Sequence, residues 1–394
     1  MSRVLIYVQH LLGVGHLHRT AAIARALVRE GFETMLVSGG YPDSTLDRLD
    51  GIQFRQLPPA RAADASFRVI LDENGQQVDE AWWQRRREAL FGLSDAFKPD
   101  AVLTELFPFA RRPMRHELLP WLAHLREMQP RPLVYSSVRD ILVDRTKPQR
   151  DLDALNWLRT YYDGALVHGD PTLIPFDRTF PLASTVNDLL IYTGYIVEHA
   201  PAKATPDGRD EVLVSAGGGA VGLPLFHCAI AAKPLSQAKD ATWRLLVSPM
   251  EAPEAVADLK ARCGQQTSGG IIVDQARPDF PAMLGHCRLS ISKAGYNTVM
   301  ETLHARTRAV VVPFAGGDET EQALRAELLA ARGAMGYVRE SELTPQSLAE
   351  AIDRALAAPK PQDSHVDLDG AVHTARILRE RLAARILREK PAAR

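Results

Sequence analysis

Short apolar segments alternate with helical patterns along the whole chain, and the alternation runs through two series. The apolar segments are Val4–Val8, Thr34–Val37, Ala101–Leu103, Leu133–Tyr135, Ala165–Val167 and Leu189–Tyr192 in the first series, and Val212–Ser215, Arg244–Val247, Ile271–Val273, Leu289–Ser292, Ala309–Val312 and Gly336–Val338 in the second. They lack polar alternation, which is typical of strands that helices cover on both faces. The helical patterns between them include Ala21–Arg29, Pro253–Arg262, Asn297–Ala305 and Glu321–Ala331. Two such series predict two doubly wound, Rossmann-like α/β domains with parallel sheets.

A polar segment separates the two series. His199–Asp210 is rich in proline and alanine and has no hydrophobic periodicity, which is typical of a linker. We therefore expect an N-terminal domain over residues 1–198, a linker over 199–210 and a C-terminal domain over 211–366.

The end of the chain, residues 367–394, is predicted to form a basic amphipathic helix. Its apolar stripe at helical spacing consists of Ile377, Leu378, Leu382, Ile386 and Leu387, and arginines surround it. Such a helix either packs against its own protein or lies on a membrane surface, and we favour the former.

Composition and charge narrow the class of protein. The length of 394 residues exceeds what one compact core usually holds, which agrees with two domains. A formal net charge of −1 gives no general attraction to nucleic acid, so we expect no such partner. The three cysteines show no zinc-ligand spacing and fit a reducing compartment. The sequence shows no signal-peptide pattern and no apolar run of membrane-spanning length, which favours a cytoplasmic location.

A glycine loop joins the first predicted strand to the first helix. Gly13 and Gly15 would let backbone N–H groups approach a ligand, with the helix start adding a positive dipole end. The dinucleotide fingerprint fails here, because its third glycine is replaced by His18 and its acid by Ser38-Gly39-Gly40. No Walker motif follows either. His16, at the carboxyl edge of the sheet, either accepts a proton from a hydroxyl nucleophile or makes a local hydrogen bond.

The second series begins with a similar loop. The strand that ends at Ser215 runs into Gly217, Gly218 and Gly219, ahead of a helix from about Leu223. Consecutive glycines cost backbone entropy, so close approach to a phosphate explains them better than packing does.

The most informative stretch covers residues 289–329. A strand ends at Ser292, a helix begins after Gly295 and carries Glu301, and Val312-Pro313-Phe314 precedes a loop that runs from Asp318 to Gln322. In this pattern the chain resembles the nucleotide-sugar transferases of the two-domain GT-B fold, and specifically the MurG-like group with its glycosyltransferase family 28-like C-terminal domain. Gly13–His16 resembles that group's N-terminal Gly-Gly-His turn, and Thr193-Gly194-Tyr195 stands where the group has a Thr-Gly-Asn turn.

The resemblance implies two domains that face each other across a cleft, with a UDP-linked sugar donor held by the second. The residues that it assigns to the nucleotide and its phosphates are Gly13, Gly15, Ser215, Gly217, Gly218, Gly219, Ser292, Ala294, Gly295, Thr298 and Glu301, the last for the ribose hydroxyls. It assigns Gly317, Asp318, Glu321 and Gln322 to the donor sugar. Glu301 is otherwise a solvated helix acid, and the sugar group is otherwise a loop and a helix start.

Backbone donors at the diphosphate would replace a metal ion, so we expect no metal and no cofactor besides the nucleotide sugar. The two Asp-x-Asp triplets, Asp151-x-Asp153 and Asp367-x-Asp369, are interpreted as surface residues of helices or loops.

His16 would then be the general base of an inverting transfer, and a base needs a partner that fixes its tautomer. Glu105, after the strand Ala101–Leu103, is the first candidate for that partner, or it contacts the acceptor. Arg139-Asp140 is a second polar pair at the same edge.

Aromatic and basic residues lie together in two places, Trp82-Trp83 before Arg85–Arg87 and Leu106–Phe109 before Arg111-Arg112. They form either packed helix faces or a peripheral contact with the inner face of an anionic membrane, near a lipid-linked acceptor. The region Ala60–Arg131 matches no motif, so the acceptor is left open.

The sequence therefore favours a metal-independent, inverting glycosyltransferase that uses a UDP-hexose or UDP-N-acetylhexosamine and a hydroxyl acceptor. Two alternatives stay open. One is a UDP-sugar 2-epimerase or hydrolase on the same fold, and the other is a non-catalytic protein that binds sugar nucleotides.

Overall fold

The computed structural model describes residues 1–11, 13–43, 46, 49–64, 67–142, 148–197, 205–217, 222–264, 270–316, 320–363 and 366–389. The chain divides into two compact units, the first containing Met1–Ile196 and Asp369–Arg394 and the second containing Val197–Leu368. The strands are β1 (Arg3–Val8), β2 (Glu33–Ser38), β3 (Ile52–Gln56), β4 (Arg61–Ala62), β5 (Ile70–Leu71), β6 (Ala101–Glu105), β7 (Leu133–Arg139), β8 (Gly164–His168), β9 (Leu190–Tyr192), β10 (Val212–Ser215), β11 (Trp243–Val247), β12 (Ile271–Gln275), β13 (Leu289–Ser292), β14 (Ala309–Val311) and β15 (Gly336–Tyr337). The helices are α1 (Gly15–Arg29), α2 (Glu80–Phe97), α3 (Arg115–Glu127), α4 (Pro148–Tyr161), α5 (Leu223–Ala232), α6 (Pro253–Cys263), α7 (Phe280–His286), α8 (Tyr296–His304), α9 (Glu321–Ala331), α10 (Pro345–Ala357) and α11 (Gly370–Glu389).

The first unit is built on a parallel sheet with the strand order β3-β2-β1-β6-β7-β8-β9. Successive residues of β1 serve opposite faces, since Leu5 and Tyr7 join one core while Val4 and Ile6 join the other. Helices α2, α3 and α4 contribute to the first core, and α1 and α11 contribute to the second. Because both faces of the sheet are covered, its strands read as continuous apolar segments.

The second unit repeats this plan with the strand order β12-β11-β10-β13-β14-β15, again parallel. Val212 and Val214 pack into its main core, and Leu213 packs on the other face with Met283 and Leu284. All the strands that the sequence predicts in both units are confirmed, with ends that differ by a few residues.

The edge strand β3 is missed by the sequence pattern. Ile52 is its buried residue, whereas Arg55 and Gln56 are exposed, so it carries too few apolar positions to stand out. The structure also begins α1 at Gly15, six residues before the predicted start at Ala21, because the loop residues continue directly into helical turns.

Helix α11 packs on α1 of the first unit. Leu378 and Leu382 of its apolar stripe are buried in the shared core, while Ile386 and Leu387 near its end are exposed. The guanidinium of Arg379 contacts the carboxylate of Glu30 at 2.7 Å. At the start of α11, a Cβ on Gly370 would lie 2.2 Å from the carbonyl oxygen of Gly194, so only glycine fits there.

Within the described residues, no helix has both the length and the apolar composition needed to cross a membrane.

Candidate functional site

The loop between β1 and α1 delivers His16 to the carboxyl edge of the first sheet. Gly13 is exposed and has open space where a Cβ would stand, and Gly15 is the first residue of the helix. The residue that precedes the helix, Val14, makes no side-chain hydrogen bond to the helix start. The side chain of His16 is 15% exposed, so the described residues do not enclose it completely.

His16 and Glu105 form a hydrogen-bonded pair, with 3.0 Å between Nδ1 of the imidazole and Oε1 of the carboxylate. Arg19, one helical turn after His16, donates to the same carboxylate oxygen. The hydroxyl of Ser137 donates to the other oxygen, Oε2, at 2.7 Å. Burial alone would raise the pKa of Glu105, but Arg19, His16 and Ser137 together hold it well below its usual range. The surroundings of buried Glu105 therefore favour its charged form, which can only accept hydrogen bonds.

The surroundings of His16 favour its neutral form. Burial lowers the pKa of His16 well below its ordinary value, the hydrogen bond with Glu105 opposes that shift, and Arg111, Arg139 and Arg19 add to it. Nη2 of Arg19 also lies 3.3 Å from Nδ1, but this nitrogen donates to Glu105. Since the carboxylate can only accept and is the nearer partner of Nδ1, at 3.0 Å, Nδ1 of the neutral ring carries the proton. Nε2 is left with its lone pair, which is the arrangement that a general base requires.

A second histidine lies behind Glu105, and the sequence interpretation missed it. Nε2 of His168 lies 2.8 Å from the Ser137 hydroxyl, and its Nδ1 lies 2.8 Å from the hydroxyl of Thr193. Ser137 lies near the end of β7, His168 ends β8, and Thr193 follows β9. Their one signal in the sequence is that each is a polar residue at the carboxyl end of an apolar segment.

The pair Arg139-Asp140 is divided between two roles. The Asp140 carboxylate accepts from the hydroxyl of Tyr195 at 2.8 Å and from the backbone N–H of Ile141 at 2.9 Å. Arg139 acts on His16 through its charge. Asp140 is thus held by residues other than His16.

The end of β2 is filled by the protein's own side chains. A Cβ on Gly39 would lie 2.2 Å from Oε1 of Gln9 and 2.4 Å from the guanidinium of Arg86, and a Cβ on Gly40 would lie 2.3 Å from the ring of His10. In a dinucleotide-binding domain this is the place of the ribose-binding acid. The side chains of Gln9, Arg86 and His10 therefore occupy the place that a ribose-binding acid would need.

The aromatic stretches belong to the core of the first unit. Trp82, Trp83, Phe107 and Phe109 are all buried. Of the two alternatives for these stretches, the packed faces describe the rings, because packing inside the domain already covers them. A peripheral contact of the protein with a membrane stays a prediction.

In the second unit, the two predicted donor loops start side by side. Ser215 at the end of β10 is the register partner of Ser292 at the end of β13, and the backbone N–H of Lys293 donates to the carbonyl of Ser215 at 3.2 Å. Gly217 adopts a φ of +74° with open space around it. Gly218 and Gly219 lie outside the described residues.

The start of α8 lies directly after Ser292. Ala294 is buried. Gly295 is the residue that precedes the helix, and having no side chain it accepts no hydrogen bond from the N–H groups of the first turn. Thr298, in that turn, is half-buried. The side chain of Ser292 is buried, and its hydroxyl has no hydrogen-bond partner within the described part of the chain. Glu301 is half-buried further along α8. This corner combines N–H donors with a hydroxyl that lacks a partner, which suits an anion.

The residues assigned to the donor sugar are held by their own unit. Glu321 is buried and accepts from Arg325 at 2.9 Å, and the side-chain oxygen of Gln322 accepts from the N–H of Phe314 at 3.0 Å. Gly317 and Asp318 lie outside the described residues.

Lys293 is a further polar residue at this corner that the sequence interpretation missed. Its buried ammonium group donates to Glu340, which in turn accepts from the N–H of Ala315 at 2.7 Å. This bridge ties the end of β13 to the loop after β14.

The first aspartate triplet lies in α4. Asp151 is buried there, contrary to the surface position expected for it, and Asp153 is bound by Arg112 and Gln149. In the second triplet, Asp367 and Asp369 are exposed.

Comparisons with known proteins find a family match within the second unit. Residues 259–368 match the glycosyltransferase family 28 C-terminal domain. The UDP-N-acetylglucosamine--N-acetylmuramyl-(pentapeptide) pyrophosphoryl-undecaprenol N-acetylglucosamine transferase of Brucella anthropi is 34% identical over 165 residues, which are 41% of this chain and 42% of that enzyme. The transferase of the same name from Brucella canis is 31% identical over 161 residues. The match spans about two fifths of the length of these curated relatives.

Solved structures resemble the whole chain at low sequence identity. CalG4, the calicheamicin glycosyltransferase, has a TM-score of 0.61 at 16% identity, and the superposition covers 99% of this chain and 100% of the CalG4 chain. MurG of Acinetobacter baumannii has a TM-score of 0.58 at 14% identity, with coverages of 96% and 100%. MnaA of S. aureus in complex with UDP has a TM-score of 0.62 at 10% identity, with both chains covered in full. The predicted fold class, two parallel-sheet α/β domains of the GT-B type, is confirmed.

Proposed function

We propose that this chain, a MurG-like protein of the GT-B fold, is an inverting glycosyltransferase that moves a sugar from a UDP-linked donor to an acceptor hydroxyl. The observation that carries the proposal is the register pair Ser215 and Ser292, which joins both donor loops beside the open start of α8. Ser292 lies within the segment that matches the family 28 C-terminal domain.

The diphosphate of the donor binds at this corner. The first turn of α8 offers N–H groups and the positive end of the helix dipole, and the Ser292 hydroxyl gains the partner that the described residues do not give it. Glu301, on the same helix, accepts from the ribose hydroxyls. Because these groups offset the charge of the leaving diphosphate, the reaction needs no metal ion.

Further contacts with the donor are proposed from the resemblance alone. They are phosphate contacts from Gly13, Gly15, Gly218 and Gly219, and sugar contacts from Gly317, Asp318, Glu321 and Gln322.

His16 acts as the general base. Its Nε2 takes the proton of the acceptor hydroxyl while the acceptor oxygen attacks the anomeric carbon of the donor sugar. The bond between that carbon and the diphosphate oxygen breaks, UDP leaves with the electron pair, and the new bond has the opposite anomeric configuration. Glu105 orients the imidazole and stabilises the imidazolium that forms.

The first acceptors to try are polyprenyl-diphosphate sugars. The curated relatives carry a pyrophosphoryl-undecaprenol acceptor in their names. We extend this acceptor class to the present chain, together with peripheral binding to the inner face of a membrane.

The test combines nucleotide binding with product analysis. Thermal unfolding is measured with UDP, ADP, GDP and NAD, and UDP is expected to give the largest rise in melting temperature. Radiolabelled UDP-sugars are then incubated with and without acceptor, in buffer and in EDTA. The transferase is supported if UDP is released only when acceptor is present, if the release persists in EDTA, and if the anomeric configuration of the product is opposite to that of the donor. Release of UDP without acceptor favours the epimerase or hydrolase, binding without any turnover favours the non-catalytic protein, and preference for NAD contradicts all three.

A further inference from the structure

The hydrogen bonds of Glu105 continue into the protein, away from His16. Ser137, His168 and Thr193 follow one another through contacts of 2.8 Å, across the carboxyl ends of β7, β8 and β9. Each of the three residues is at most 1% exposed. We infer that Ser137 and His168 are positioning residues that fix the Glu105 carboxylate and, through it, the tautomer of His16. This inference rests on the proposed role of His16 as the base.

The direction of the protons follows from the carboxylate. Glu105 can only accept, so the single hydroxyl proton of Ser137 points to Oε2 over 2.7 Å. The Ser137 oxygen is then an acceptor for His168, whose Nε2 must carry a proton. Nδ1 of a neutral His168 is bare and accepts from the hydroxyl of Thr193. That hydroxyl also lies 2.9 Å from the carbonyl oxygen of Gly194 and 3.4 Å from that of Val167, so its proton is shared among three acceptors.

The surroundings of His168 favour its neutral form. Burial and, to a smaller extent, the positive charge of Arg19 lower the pKa of His168 to about 3, although Glu105 opposes the shift. With a single ring proton, His168 can satisfy Ser137 only as the Nε2–H tautomer. The Nε2–H of His168 and the hydroxyl of Ser137 therefore both point toward Glu105. The Nδ1–H of His16 points to the same carboxylate from the other side.

This polarity gives the two oxygens of Glu105 different partners. Arg19 and His16 share Oε1, and Ser137 holds Oε2. Without the Ser137 hydroxyl the carboxylate can rotate, and Arg19 then competes with His16 for the charge. Ser137 thus acts on the reaction through the orientation of the His16 ring and not through the substrate.

The kinetic test uses a matched pair of serines on β7. Ser136 is as buried as Ser137, and its hydroxyl has no hydrogen-bond partner among the described residues. We expect Ser137→Ala to lower kcat about tenfold, the worth of one hydrogen bond to a charged group, with the KM of the donor unchanged. Ser136→Ala should leave kcat within twofold of the unaltered chain. His168→Gln keeps an N–H donor near the position of Nε2 and should retain more activity than His168→Leu.

A second readout does not need turnover. Nitrogen NMR of 15N-histidine-labelled protein distinguishes the tautomers, with assignments from the histidine variants. In the unaltered chain we expect His168 as the Nε2–H tautomer and His16 as the Nδ1–H tautomer. In Ser137→Ala, but not in Ser136→Ala, we expect His16 to populate both tautomers. A proton on Nδ1 of His168, or Ser137→Ala equal to Ser136→Ala in kcat and in the His16 spectrum, would overturn the inference. If the chain transfers no sugar, the proposed function fails while the spectra still test the hydrogen-bond chain.

Discussion

Nδ1 of His16 lies 3.0 Å from Oε1 of Glu105, although 89 positions separate the two residues in the chain. The contact exists because β1 and β6 are neighbours in the parallel sheet, so that the loop after one strand meets the end of the other. A carboxylate at that position fixes the ring and leaves Nε2 as its basic atom. Substitutions at His16 therefore probe catalysis more directly than stability.

His16→Ala should lower turnover by about 10²- to 10⁴-fold, the usual contribution of a positioned general base. The affinity for UDP, measured by calorimetry, should stay the same, because the proposed donor corner lies in the other unit. His18→Ala is the matched control, since His18 lies on the same helix with its ring bonded to Asp43. Weaker UDP binding with turnover preserved at saturation would reduce His16 to a phosphate contact or a helix-start residue.

The pH dependence of kcat/KM should report the charges around His16. Burial and the neighbouring arginines lower its pKa, so the acidic limb should fall below the ordinary value of 6.5. Arg111→Gln removes one of those charges and should move the limb to higher pH. Arg112→Gln is the control, because Arg112 instead pairs with Asp153. Identical limbs in both variants and in the unaltered chain would show that the titrating group is not His16.

The fold and the pair His16 and Glu105 could be predicted from the sequence, each for a different physical reason. Apolar segments mark the strands because both sheet faces are buried, and His16 and Glu105 each follow such a segment. Ser137 and His168 were not identified, because Ser137 lies beyond the predicted end of β7 at Tyr135 and a polar residue at a strand end does not reveal its partner. The end of β7 was also predicted too short, since its buried serines read as polar residues.

Stability should depend on pH through His168. Burial lowers its pKa from 6.5 to about 3, so between these values the unfolded chain binds a proton that the folded chain does not. The free energy of unfolding therefore rises with pH across this window, and the contribution of His168 to it is complete above the window. His168→Gln should reduce the slope by up to about 1.4 kcal/mol per pH unit. Urea unfolding between pH 4.5 and 6.5 measures the slope for both chains. Glu105 is present in both, so its own contribution near its ordinary pKa of 4.5 cancels in the comparison. An unchanged slope would mean that His168 titrates normally in the folded chain.

Glu301→Gln should weaken UDP binding by about 1–3 kcal/mol, because ribose hydroxyls would lose a charged acceptor. The control is Glu254→Gln, an exposed acid in the first turn of α6 in the same unit. Calorimetry with UDP and with uracil-free ribose phosphates separates the ribose contact from the base. Equal affinities for both variants would remove Glu301 from the ribose.

Ser292 and Ser290 offer the sharpest test of the donor corner. Both are buried on β13, two residues apart and on the same face, and neither hydroxyl has a hydrogen-bond partner in the described part of the chain. Ser292 differs in being the last residue of the strand, beside Ser215 and the start of α8.

Removing either hydroxyl breaks no hydrogen bond to described residues, so both alanine variants should unfold within about 1 kcal/mol of the unaltered chain. Only Ser292→Ala should weaken UDP binding, by about tenfold, because only that hydroxyl can reach a diphosphate at the end of the strand. Calorimetric titration of both variants with UDP and with inorganic diphosphate measures this, and the loss should appear with both ligands. Equal losses in Ser290→Ala and Ser292→Ala would place the effect in the packing of β13 and move the diphosphate away from this corner.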